Sequence, residues 1–267
     1  MDFHKIEDDI LKKGYFKSKV DSAREKYLKN ISSKLFINAT NLLKEKNIKF
    51  TNTSSDKDFF DNFHSYISIE ELNKFRVNLL DKLNSDDEVK MDLYNLCKPY
   101  MDEIVGNEVA IQRRVNLSIQ LPNDNSSLLP VHADTWSGDS PFEAVLWLPL
   151  VDCYDTKSMY ILNPNDSNEL TKEFVELENL NAEDIFNKIK DKVEWINIKF
   201  GEFMIFNQSL PHGNVVNLIN QTRWSLNCRF KSLYSPYGDK KLGEFFEPLN
   251  PKIMTKIGIN YKYPEVD

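Results

Sequence analysis

Val115-Asn116-Leu117-Ser118-Ile119-Gln120-Leu121 is the stretch on which the fold turns. Apolar residues hold every odd position and polar ones every even position, the two-residue period of a strand with one face in a core. Toward the C-terminus the same texture returns. Residues 143–151 are apolar on both faces, 158–162 and 195–199 are short apolar runs, and 203–206 follow a Gly201-Glu202 turn. The run 223–230 alternates again, with Arg223, Ser225, Asn227 and Arg229 on one face and Trp224, Leu226, Cys228 and Phe230 on the other. Toward the N-terminus the period changes. Val20, Ala23, Tyr27, Ile31, Leu35 and Leu42 form the stripe of a long amphipathic helix. A polar loop is expected at 51–57. Ser68-Ile69-Glu70-Glu71 and Ser85-Asp86-Asp87-Glu88 read as capping boxes that open two further helices, and Pro99 is expected to kink the second or end it early. Residues 163–192 read as a polar insertion with a helix at Ala182–Ile189. Helices followed by short strands predict a mainly β protein, a sandwich or barrel braced by N-terminal helices. The expectation is one domain over 1–267, with helical support in 1–105 and a β core in 106–267.

Composition limits what such a fold can do. The chain has 267 residues, 41% hydrophobic and 28% charged, enough to bury a core and incompatible with extended disorder. With 34 basic and 41 acidic residues the net charge is −7, the wrong sign for a non-specific nucleic-acid binder. The longest apolar run, 144–151, is strand-sized, so no membrane span is expected. Acids follow Met1 where an export signal would carry basic residues, which predicts a cytoplasmic protein. Cys97, Cys153 and Cys228 are scattered without a CxxC pair, excluding a disulfide framework and a zinc ribbon, and read as small buried apolar groups.

Four histidines narrow the chemistry: His4, His64, His132 and His212. His4 belongs to a disordered-looking terminus and His64 to a polar loop, so both read as structural or solvent-facing. His132-Ala133-Asp134 places an imidazole and a carboxylate on one face of an extended segment. Among so many acids a His-x-acid pair arises by chance about as often as not, so its company decides. His212 follows a strand and a short turn. Eleven residues later comes Arg223, one of only six arginines, and Ser225 follows two positions on. Two histidines and one carboxylate with open coordination positions form the ligand set of non-haem Fe(II) oxygenases. Arg223 offers the planar, two-pronged cation suited to the far carboxylate of a dicarboxylate cosubstrate, with Ser225 on the same strand face. The competing reading is two unrelated, internally satisfied histidines.

His132-x-Asp134, His212 and Arg223-x-Ser225 resemble the iron- and 2-oxoglutarate-dependent oxygenases of the phytanoyl-CoA dioxygenase-like superfamily. More narrowly, the texture from His132 through Trp136 and along 144–150 is similar to oxygenases of bacterial surface-carbohydrate clusters. The resemblance covers about residues 109–232. It implies a double-stranded β-helix, a jelly-roll barrel, with Fe(II) held by His132, Asp134 and His212. It also implies 2-oxoglutarate chelated there, with its distal carboxylate on Arg223 and Ser225, and dioxygen used to hydroxylate a small molecule such as a sugar or nucleotide sugar. Asp155-Thr156-Lys157-Ser158-Met159 departs from the Asn-Gly-rich turn of the broader family. Gln120 is the residue of the 116–120 row expected near the cosubstrate or substrate. Asn227 and Arg229 read equally as site residues or as a solvated edge face. Trp136 reads as a pocket wall or as packing, and Asn207 and Asn214 as residues orienting His212 or as turn residues. Arg113 and Arg114 could form a basic spot for a nucleotide sugar. A protein hydroxylase on the same fold, expected to have a shallow open groove, and a non-catalytic jelly-roll binding protein are the alternatives. Imidazoles far apart, or with their nitrogens consumed by backbone carbonyls, would overturn the metal reading.

Overall fold

In the computed structural model, residues 3–50, 55–173 and 180–264 are described. The chain opens with α1 (Phe3–Lys13) and β1 (Tyr15–Lys19), then α2 (Glu25–Glu45), α3 (Asp56–Asp61), α4 (Ile69–Asn84) and α5 (Asp87–Val105). The strands β2 (Val109–Gln112), β3 (Asn116–Gln120), β4 (Glu143–Pro149) and β5 (Tyr160–Ile161) follow. After α6 (Pro164–Lys172) and α7 (Ala182–Ile189) come β6 (Glu194–Trp195), β7 (Glu202–Asn207), β8 (His212–Gly213), β9 (Arg223–Ser232), β10 (Phe246–Pro248) and α8 (Ile253–Ile259).

A seven-stranded sheet runs β1-β7-β4-β9-β2-β10, with β3 also on β9, and its pairings are antiparallel. β4 lies on one edge of β9, and β2 and β3 share the other. Ile111 faces Phe230 and Asn116 faces Asn227, so residues 112–115 stand against only 228–229, a bulge. The Gln112 amide fills that break. Its Oε1 accepts from the Arg229 backbone N–H at 3.1 Å and its Nε2 donates to the Arg114 carbonyl at 2.6 Å. A buried amide that would otherwise lose its ladder partner is thereby satisfied.

The two faces of β9 divide the molecule. Trp224 lies between Phe60 and Phe63, with ring centroids 4.7 and 4.9 Å away, and Phe230 meets Tyr94. One hydrophobic cluster joins α2, α4 and α5 to β4, β7 and β9. Burial at this density makes truncation of a fully buried Trp224 cost about 3–5 kcal/mol. The opposite face looks onto a cavity, across which β6-β5-β8 form a second, three-stranded sheet. The expected jelly-roll barrel is not closed. β5, β6 and β8 have two residues each, too few to carry a ladder round the cavity.

Other expectations are corrected where tertiary partners intervene. The N-terminus forms α1, with Ile6 buried, so His4 sits on a helix and not in a disordered segment. The long helix starts at Glu25 instead of near Val20, because Tyr15–Lys19 is taken up as an edge strand on β7. Ser68 is the N-cap of α4 without a side-chain bond to its first-turn amides. Asp86, not Ser85, caps α5 by accepting from Glu88 N–H, while Ser85 closes α4 through the Lys82 carbonyl. Pro99 lies inside α5, which continues to Val105. Leu96, Cys97 and Met101 are fully buried on either side of it, and that packing offsets the one missing helical bond. The 195–199 strand shrinks to Glu194–Trp195 plus a Cys153–Ile198 bridge. Of the polar loop expected at 51–57, residues 51–54 lie outside the described residues, as do 174–179 of the insertion.

Candidate functional site

His132 and His212, far apart in sequence, are direct cross-strand partners. His132 N–H donates to the His212 carbonyl at 3.0 Å and His212 N–H to the His132 carbonyl at 2.8 Å. Residues paired this way project their side chains to the same face, and the ring centroids are 4.4 Å apart. Asp134, two residues on, keeps that face, anchored by its N–H to the Gln208 carbonyl at 3.0 Å. Gly213 is required beside His212, since a Cβ there would lie 2.8 Å from the Leu129 carbonyl oxygen and 2.6 Å from Tyr160 Oη.

Each imidazole spends one nitrogen on the backbone. His132 Nδ1 lies 2.7 Å from the Pro130 carbonyl oxygen and His212 Nδ1 lies 2.8 Å from that of Leu210. A carbonyl only accepts, so both Nδ1 atoms carry a proton, and in the neutral imidazole each Nε2 then presents its lone pair. The engagement therefore fixes the tautomer a metal needs and does not block it. His132 Nε2 is 3.6 Å from Asp134 Oδ1, and one ligand atom from each of the three residues lies within 4.8 Å of the others. Burial, with His132 nearby, pushes the His212 imidazole down to about 4, so it is neutral near pH 7.

Arg229 holds the carboxylate from behind. Its Nη2 is 2.8 Å from Asp134 Oδ2, and its Nε donates to Gln208 Oε1 at 2.8 Å. Gln208 in turn donates to Glu143 Oε2 at 2.6 Å. Asp134 thus has one oxygen committed to a guanidinium and the other turned to His132. The sequence left Arg229 undecided between this face and solvent; the bulge at β2–β3 and the Gln208 contact put it on the cavity.

Beyond the triad lies a cavity of about 490 Å³, lined in part by Ser118, Trp147, Phe206, Asn214, Arg223, Ser225 and Asn227. Arg223 is only 3% exposed. Its Nη1 donates to the Ser158 carbonyl at 3.2 Å and its Nη2 to Ser118 Oγ at 3.0 Å, while its buried Nε has no partner. Among the described residues no acid pairs with it. Burial presses its pKa down, a sign of an uncompensated charge. Lys157 makes the contrast. It is fully buried too, yet it binds Asp61 at 2.5 Å and Gln221 at 3.0 Å, and so ties the divergent 155–159 turn to α3.

Some residues singled out in the sequence stand apart from the cavity. Gln120 pairs in register with Arg223 and is fully buried, but its Nε2 donates to the Val215 carbonyl and it is not part of the lining. Ser118, in the same row, is the residue that reaches Arg223. Trp136 packs with Val131 and Tyr160 in a second hydrophobic cluster. Asn207 serves the turn through Ser209 N–H, whereas Asn214 accepts from Leu129 N–H and lines the cavity. His64 bonds Thr222. Arg113 and Arg114 face Glu247 and Asp81, so they form no free basic spot. Arg76, on α4, lines the cavity and was not singled out in the sequence; helical periodicity marks its neighbours as core but says nothing of a cavity flank. No helix among the described residues is long and apolar enough to cross a membrane.

No protein-family profile and no curated protein matches the sequence. Solved structures do match the fold. The non-heme alpha ketoglutarate dependent carbocyclase SnoK from nogalamycin biosynthesis superposes with a TM-score of 0.54 at 12% identity, covering 93% of this chain and 96% of SnoK. HygX from Streptomyces hygroscopicus, with nickel and 2-oxoglutarate bound, superposes at 0.51 and 12% identity, covering 91% and 90% of the two chains. The chain is similar in fold to these non-heme oxygenases, a mainly antiparallel, cupin-like sheet with helices.

Proposed function

We propose that this chain is an Fe(II)- and 2-oxoglutarate-dependent dioxygenase that hydroxylates a small polar molecule. A sugar or nucleotide sugar of surface polysaccharide synthesis heads the candidates, within the phytanoyl-CoA dioxygenase-like superfamily. One observation carries the reading: two Nε2 atoms and a carboxylate oxygen converge on a cavity whose wall also holds a buried guanidinium lacking an acid. The nickel and 2-oxoglutarate in HygX support it by analogy of fold.

The donor set fits a ferrous ion, with two imidazoles and one carboxylate on one side and the cavity on the other. His132, Asp134 and His212 would hold it. When bound, the ion with 2-oxoglutarate and dioxygen supplies an oxidation of a C–H bond coupled to decarboxylation of the keto acid to succinate and carbon dioxide. The protein's own part is positional. The Pro130 and Leu210 carbonyls fix the imidazole tautomers, and Arg229 holds Asp134 so that one oxygen faces the metal. Arg223, oriented by Ser118 and the Ser158 carbonyl, receives the distal carboxylate beside Ser225. Trp147, Phe206 and Met159 supply an apolar part of the cavity wall. A concave cavity of about 490 Å³ has the size of a small-molecule site and favours a small molecule over a protein substrate.

Aerobic incubation with Fe(II) and 2-oxoglutarate against a panel of sugars and nucleotide sugars tests the proposal. Succinate release that depends on iron and is stimulated by one panel class is expected. Absence of succinate with every partner, alongside no measurable 2-oxoglutarate binding, overturns it.

A further inference from the structure

The cavity carries more positive charge than the proposed cosubstrate consumes. Three arginines line it, Arg76, Arg223 and Arg229, against a single acid, Asp134. Arg229 is neutralised by Asp134 at 2.8 Å. Arg223 is the seat proposed for the distal carboxylate. Arg76 is left over. It stands half-buried on α4, one position past the core residue Phe75, and its Nη2 donates only to Asn73 Oδ1 at 3.0 Å, one turn back on its own helix. Among the described residues no carboxylate lies within ion-pair distance of it. Adding a ferrous ion and a 2-oxoglutarate dianion to this lining still leaves an excess of positive charge, inside a protein whose overall charge is −7. A half-buried guanidinium on the cavity wall is stabilised by an anion it can grip with two parallel N–H groups.

A second feature adds a polar requirement. Asn227, on the inner face of β9 and opposite both Asn116 and Trp147, has a buried Oδ1 without a partner, and its side chain lines the cavity. Buried polar atoms are normally paired, so this acceptor calls for a donor on whatever occupies the chamber. Ser126 and Ser127, also on the lining, have their hydroxyl protons committed to Asp124 and make no competing donor set for an anion. The cavity volume lies within the range of about 300–1,000 Å³ usual for small-molecule sites.

We infer that the prime substrate is a small anion, a carboxylate or phosphate ester, whose charged group is bound by Arg76 and which presents a hydroxyl or amino donor to Asn227. The inference rests on the oxygenase reading above and specifies its substrate. Arg76 would be a specificity residue, carried on α4 and not on the segments that hold the triad and Arg223.

The experiment is calorimetric titration of the protein loaded with nickel(II) and 2-oxoglutarate. The probes are matched pairs: glucose against glucose 6-phosphate, galactose against galacturonate, and glycerol against glycerol 3-phosphate, with UDP-glucose as a larger phosphate probe. At least one anionic probe is expected to bind roughly tenfold or more tighter than its neutral partner, as one charge-assisted bidentate contact provides. The phosphate and carboxylate arms distinguish the two anion chemistries. Arg76→Gln should bring each pair to within about threefold while leaving 2-oxoglutarate affinity unchanged; Arg76→Lys should keep part of the preference. Equal binding of neutral and anionic probes, no binding of any anionic probe, or a preference that survives Arg76→Gln overturns the inference while leaving the oxygenase reading intact. Failure of the wild-type protein to bind 2-oxoglutarate overturns both.

Discussion

Arg223 and Arg229 project from the same face of one strand, yet the protein treats their charges in opposite ways. Arg229 meets Asp134, Gln208 and Gln112 within its own chain. Arg223 is more deeply buried and is given only neutral acceptors, a serine hydroxyl and a carbonyl. Desolvating a guanidinium costs several kcal/mol unless an anion answers it. On the proposed reading, the arginine left short is the one that receives an anion from outside. The same strand then holds an internally paired cation at one end and, on the proposed reading, a binding cation at the other.

The comparison breaks most sharply at the triad. Asp134→Ala or His132→Ala should abolish iron-dependent succinate formation while the far-ultraviolet circular dichroism stays near wild type; surviving turnover removes the metal assignment. Next comes the binding arginine. Arg223→Ala should raise the apparent KM for 2-oxoglutarate on the order of a hundredfold and that for the prime substrate far less. Arg223→Lys should also be poor, because an ammonium lacks the fork. The structural arginine predicts a different signature. Arg229→Gln should weaken ferrous binding about tenfold, measured by metal titration, with 2-oxoglutarate affinity in the metal-loaded protein little altered. If Arg229→Gln instead behaves like Arg223→Ala, the two ends of β9 are not distinct. The smallest effect is expected at Ser118→Ala, which removes one acceptor from Arg223 and should raise the KM for 2-oxoglutarate about threefold.

The halves of the fold differ in how plainly the sequence displays them. The row of Trp224, Leu226, Cys228 and Phe230 is legible because every alternate side chain obeys the same burial, and the helix expected at Ala182–Ile189 forms there, capped by Asn181 through the Glu183 and Asp184 N–H groups. What went unseen has a common cause. β1 is an edge strand with a single apolar pair, recognised only once β7 lies beside it. The passage of α5 through Pro99 depends on buried neighbours that local propensity ignores. The choice of Ser118 over Gln120 as Arg223's partner turns on two residues sharing one face at different depths, a distinction alternation does not make.

From sequence alone came three candidate ligands and a candidate clamp in Arg223 and Ser225, since residue type and spacing limit which atoms are able to coordinate or clamp; that Ser118 is the serine bonded to Arg223 came only from the structure. Tertiary structure alone decided which nitrogen each histidine keeps free, which arginine is already satisfied and how far the barrel closes. These properties belong to backbone carbonyls, bulges and strand ends brought together over long separations, and a linear pattern carries no record of distance.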